Sequence, residues 1–107
     1  MMFTINNEMW YIDLVPYNYH MLKKPNGTYA LGVCSDDRKT IYIRNELPPA
    51  LEKRVLCHEI VHAAMFSYDI FLDEAQEELM ADIIATYGEE IIDITNMLFK
   101  NLKERTY

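Results

Sequence analysis

The chain has 107 residues and a formal net charge of −7, with half of its residues hydrophobic and a quarter charged. That length supports one hydrophobic core and not two, so a single domain over residues 1–107 is expected, and the composition argues against disorder. The acidic balance disfavours nucleic-acid phosphates and anionic membrane surfaces as partners, and no apolar run is long enough to span a bilayer.

The opening residues, MMFTINNE, lack the basic-then-apolar order of a signal peptide. Two cysteines, Cys34 and Cys57, are too few for a disulfide framework, so a reducing cytoplasm is the expected location. Residues 9–15 (MWYIDLV) are aromatic and branched, read as a strand, and end at Pro16. Lys24-Pro25-Asn26-Gly27 is a turn signal, because Pro presets φ and Asn-Gly tolerates positive φ. Residues 29–34 and 40–44 then read as two strands of an antiparallel hairpin, joined by the polar turn Ser35-Asp36-Asp37-Arg38-Lys39. The adjacent acids Asp36 and Asp37 read as solvated turn residues, and His20 as a surface or loop histidine.

From residue 48 the period becomes helical. Pro48-Pro49 suits a helix start, and Leu51, Val55, His58, His62 and Met65 recur at steps of three and four. Apolar residues cover most of the remaining surface of this helix, which places it centrally. A second helix is expected from Asp73, a good N-cap, to Tyr87, with Gly88 as its stop. A third is expected over residues 89–105, with Ile91, Ile94, Leu98 and Leu102 packing on the core. Its acids come early (Glu89, Glu90, Asp93) and its bases late (Lys100, Lys103, Arg105), matching the helix dipole. The expected fold is therefore α+β, a small antiparallel β-sheet packed on about three helices.

The central helix carries His58-Glu59-Ile60-Val61-His62. Residues four apart project from one side of a helix, so both imidazoles can reach one ion. Glu59 lies about 100° further round, out of the ligand set but near whatever the ion's open position holds. If that is water, zinc lowers its pKa to about 7, and Glu59 can accept the proton and return it to a leaving amine. A third ligand must come from elsewhere, and the next helix offers Glu74, Glu77 and Glu78. Glu78 is the first choice, because Asp82 stands four residues on and can accept the free N–H of a ligand histidine. Glu77, with Ala81 at the corresponding place, ranks second and Glu74 third.

His58-Glu59-x-x-His62 followed by Glu78-x-x-x-Asp82 resembles the gluzincin arrangement of thermolysin-type metallopeptidases. The strand at 40–43, the Asn45-Glu46-Leu47-Pro48 connection and the stretch from Leu56 to Ala63 are similar to the small ImmA/IrrE-type peptidases, or minigluzincins, of phage, prophage and mobile elements. The likeness covers roughly residues 29–88. It implies a one-lobed, zincin-like α+β peptidase with Zn2+ on His58, His62 and Glu78, and Glu59 as general base. It also implies a protein or peptide substrate, with a repressor among the candidates. Only fifteen residues separate His62 from Glu78, shorter than in the large gluzincins, and no helix-turn-helix is evident. SprT-like peptidases match less well, since no histidine follows His62. An alternative reading is a metal-stabilised protein-binding regulatory module without catalysis. On either reading, residues 40–44 are a candidate free edge on which an extended peptide could pair.

Overall fold

The fold is taken from a computed structural model that describes residues 1–106, with side chains as far as residue 104. The side chain of Arg105, one of the bases expected at the helix end, lies outside the described residues. Two strands come first, β1 (Met2–Ile5) and β2 (Glu8–Val15), paired antiparallel. Asn6 and Asn7 join them with φ of 48° and 62°, the two positive values that a tight hairpin turn requires and asparagine tolerates. β1 has no counterpart among the expected elements.

After β2 the chain runs through residues 16–31, with a short 3-10 turn at His20–Leu22, before β3 (Gly32–Ser35) and β4 (Thr40–Arg44). The hairpin β3–β4 is antiparallel as expected, but the sheet order is β1-β2-β4-β3 and β4 runs parallel to β2. The sheet is thus mixed, not purely antiparallel. The cause is the long connection, which carries the chain past the vacant place beside β2 to the far edge, so that the hairpin returns into the gap. β4 is therefore internal and largely buried, and the sheet edges are β1 and β3, not residues 40–44.

The connection covers one face of the sheet, where Leu22 packs with Val15 and Tyr42. The helix α1 (Pro49–Ser67) covers the other, setting Ala63, Val55, Leu56 and Ile60 against Trp10, Ile41 and Ile43. Proline at the first helical position removes no needed N–H. At the other end Asp69 takes φ 53° and the Ile70 N–H returns to the Met65 carbonyl at 2.9 Å, a left-handed cap. Ser67 ties this end to the sheet. Its hydroxyl accepts from Trp10 Nε1 at 2.8 Å, and its carbonyl accepts from Asn6 Nδ2 at 2.8 Å.

A second helix, α2, spans Glu74–Thr106. Asp73 caps it as expected: its carboxylate accepts from the Gln76 N–H at 2.8 Å while the Gln76 side chain reaches back to the Asp73 N–H at 3.3 Å. The expected break at Gly88 does not occur, so the described residues form two α-helices and not three. Gly88 has no positive φ, and a helical glycine costs only about 1 kcal/mol relative to alanine. Among the described residues downstream the chain stays helical, to Thr106.

The expected core role of residues 89–105 is also overturned. Ile91, Ile94 and Leu98 are 54%, 45% and 51% exposed. At 1.5 Å per residue a 33-residue α2 is about 50 Å long against about 29 Å for a 19-residue α1, so its C-terminal half overhangs its neighbour. Among the described residues no helix is long and apolar enough to cross a membrane.

The Trp10–Ser67 bond is buried and joins residues 57 apart in sequence. Ser67→Ala is expected to lower stability by about 1–3 kcal/mol, because it strands a buried indole N–H. Urea unfolding followed by the fluorescence of Trp10 measures this, and an unchanged midpoint would assign the bond no net value.

Candidate metal centre

Helix α1 presents His58, Glu59 and His62 toward α2, which runs back alongside it. The depth of α2's approach follows from its contact side. Glu77, Ala81, Ala85 and Gly88 are its only side chains not exposed among residues 74–104, and three of them are small. That spacing of four, four and three sets the rotation of α2 about its axis. Glu78 and Asp82, one step further round, then reach over the histidines.

The rings are held at both ends. His58 Nδ1 lies 2.9 Å from Asp82 Oδ1, and His62 Nδ1 lies 2.6 Å from Glu77 Oε1. A carboxylate accepts only, so each Nδ1 carries a proton, and in the neutral ring each Nε2 then keeps a lone pair. Those two Nε2 atoms stand 3.1 Å apart, with Glu78 Oε2 3.1 Å from one and Glu78 Oε1 3.0 Å from the other. One ligand atom from each of His58, His62 and Glu78 falls within 4.8 Å of the others, making a group able to hold a metal ion.

The donor set fits zinc. Ligands 2.0–2.1 Å from a tetrahedral ion stand about 3.3 Å from one another, close to the separations found. A cation would also suit the arrangement on electrostatic grounds. With both rings neutral and Nδ1 protonated, two imidazole lone pairs and a carboxylate face one another, a cluster that a positive charge stabilises.

Glu59 is set apart from this group, as the helical offset requires. It is buried, its Oε1 lies 4.0 Å from His58 Nε2, and its Oε2 has no hydrogen-bond partner. Burial pushes its carboxyl above the ordinary range; His62 and His58 pull it down, and the Glu78 carboxylate adds to the rise.

Glu77, second choice as a ligand by sequence, sits on the Nδ1 side of His62, away from the converging atoms. Its bond to His62 is the feature that sequence reasoning missed. The available signal was the small-residue seam Ala81, Ala85, Gly88, whose next position toward the N-terminus is Glu77. Glu74 lines the same groove but bonds to neither ring. Tyr68 and Tyr87, conceivable transition-state donors, do not line it. His20 is exposed against Tyr19, and Asp36 is paired with Lys39 in the exposed turn, so neither joins the site.

The groove has a volume of about 1160 Å³ and is walled by α1, α2 and residues 30–34, which lead into and form most of the edge strand β3. Gly32 brings that strand against the site helix. A Cβ there would lie 2.8 Å from Val55 Cγ1 and 3.2 Å from Glu59 Cγ, closer than side chains pack. Cys34, on the same strand, has its thiol pushed up by burial and by the charges of Glu59, Asp36 and Glu77, with Lys39 opposing. It stays protonated at neutral pH and is no nucleophile.

Paired imidazoles, a neighbouring carboxylate and a buried glutamate beside a sheet edge define a metallopeptidase-like centre on a small α+β scaffold. The chain belongs to the peptidase M78 family, whose model, described as the IrrE N-terminal-like domain, matches residues 10–92. That span includes the whole of the site. No curated protein and no solved structure matches it significantly.

Zinc added to chelator-stripped protein is expected to raise its melting temperature. Near-saturation at 100 times Kd corresponds to about 2.7 kcal/mol. His62→Ala should remove most of the rise, and thermal melts at graded zinc concentrations test this. A zinc response unaltered in the variant would place the metal elsewhere.

Proposed function

We propose that the protein is a zinc-dependent endopeptidase that hydrolyses a peptide bond in a protein substrate. His58, His62 and Glu78 hold the metal and Glu59 is the general base. The observation that carries this reading is the convergence of both Nε2 atoms and the Glu78 carboxylate, with each Nδ1 already engaged by a carboxylate of its own. When bound, zinc supplies Lewis-acid polarisation of a carbonyl and lowers the pKa of water to about 7.

The residues of the chain do the rest. Glu59 Oε2, buried and without a partner, takes a proton from the attacking water as the water oxygen bonds to the carbonyl carbon. The same oxygen delivers that proton to the amide nitrogen as the C–N bond breaks. Asp82 and Glu77 hold the two rings in the tautomer that directs both Nε2 atoms inward. A structural metal site has no use for a buried, unpaired glutamate, which favours catalysis over a non-catalytic binding module.

Substrate is held on the outer edge of β3. Its backbone borders the groove on the side away from β4, and an extended segment can add there as a further strand. Gly32 keeps this edge close to Glu59, so a peptide paired on it passes over the site. We take the substrate to be a protein in the cytoplasm, with a repressor among the candidates implied by the likeness to ImmA/IrrE-type peptidases.

Glu59→Gln is expected to keep zinc stoichiometry while lowering cleavage by about 10²–10⁴-fold. Incubation with candidate protein substrates, with and without a chelator, followed by mass spectrometry of fragments, measures this. Undiminished turnover in the variant would remove Glu59 from the mechanism. Gly32→Ala is expected to displace the edge strand from α1, costing about 1–3 kcal/mol of stability and slowing cleavage more than it weakens zinc binding. Parallel denaturation, zinc titration and cleavage assays would show otherwise if all three were unaffected.

A further inference from the structure

We propose that Glu77 is a positioning residue for the metal centre, fixing His62 in the Nδ1–H form and so directing its Nε2 at the ion. The proposal rests on the reading that His58, His62 and Glu78 hold zinc. Two carboxylates stand behind the ligand rings, and they are not equivalent. The Asp82 contact to His58 is 2.9 Å long and its carboxylate side chain is 68% exposed. The Glu77 contact to His62 is 2.6 Å long, with the Glu77 side chain only 21% exposed. Water competes for the first and is largely kept from the second, so Glu77 makes the stronger hold on its ring.

Position explains why Glu77 can do this and cannot bind the metal. It belongs to the seam on which α2 rests against α1, so its side chain enters between the helices. There it meets the far edge of the His62 ring, while Glu78 meets the near edge at 3.0 Å. Adjacent glutamates on one helix thus face opposite edges of a single imidazole. An apolar group at residue 77 would leave a buried N–H without an acceptor and let the ring take its other tautomer.

The test compares Glu77→Leu, Glu77→Gln and Glu74→Gln with the unaltered protein. Zinc affinity is read by competition with a chromophoric chelator, and far-UV circular dichroism checks folding. Outer partners of metal-bound histidines are worth about 10–100-fold in affinity, and Glu77→Leu is expected to lose that much. Glutamine keeps an acceptor oxygen and the volume, so Glu77→Gln should fall between the two and serve if the leucine variant does not fold. Glu74→Gln removes a charge one helical turn away without touching a ring, and it should bind zinc nearly as the unaltered protein does.

Proton–nitrogen correlation spectra of zinc-loaded protein should show a His62 Nδ1–H protected from exchange, lost in Glu77→Leu. Equal zinc affinity and an unchanged His62 signal in Glu77→Leu would overturn the role of Glu77 and leave the metal reading standing. An equal loss in Glu74→Gln and Glu77→Gln would also overturn it, by making the effect one of overall charge. Failure of the unaltered protein to take up zinc would overturn both.

Discussion

The contact between the two helices is where fold and chemistry meet. α2 turns few side chains toward α1, and of those Ala81 and Ala85 are small and Gly88 has none. At about 25 cal/mol per Å² of apolar surface, such a seam supplies little of the free energy that docks a long helix. What remains is polar: the bonds of Glu77 and Asp82 to the rings, the approach of Glu78, and the exposed Lys53–Glu89 pair, worth little in water. The small residues allow close approach, and close approach brings the carboxylates within reach. The binding energy of a cation at the cluster would therefore also hold α2 against α1.

α1 can serve as the fixed half of that pair because it is secured where its own packing ends. Its apolar side lies on the sheet, and Ser67 at its last turn is bonded to Trp10 of β2 and to the turn asparagine Asn6. Gly32 lets the edge strand press against the opposite part of the helix, beside Val55 and Glu59. The side chain of Glu59 is thereby confined between strand and helix, its Oε2 buried and without a partner. Burial in that confinement raises its proton affinity, which suits the role of general base proposed above.

The parts of this arrangement that sequence revealed are those set by local periodicity. A four-residue step on a helix fixes the relation of His58 to His62 and of Glu78 to Asp82, and the Asp73 cap is equally local. What stayed hidden depends on how elements meet. Parallel strands are ordinarily joined through a helix, and residues 16–31 carry no helical signal, so nothing indicated that β4 would enter beside β2. The free edge was consequently expected on the wrong strand. Gly88 read as a stop because glycine commonly ends helices, yet no competing turn follows it and the helix continues. The role of Glu77 depended on the rotation of α2, a tertiary property written only faintly in the spacing of its small residues.

The same carboxylates bear on the choice of substrate proposed above. The groove is lined by Glu59, Glu74, Glu77, Glu78 and Asp82 against Lys24 and Arg54, so its formal balance stays negative even with a divalent ion in place. The net charge of −7 extends that sign beyond the groove. A phosphodiester would approach against this field, and its charge would have to be desolvated beside carboxylates that the metal only partly neutralises. A peptide bond is uncharged and brings its own donors and acceptors to the open edge of β3. A negative field of this kind favours a cation over an anionic ester, in keeping with the amide substrate proposed above.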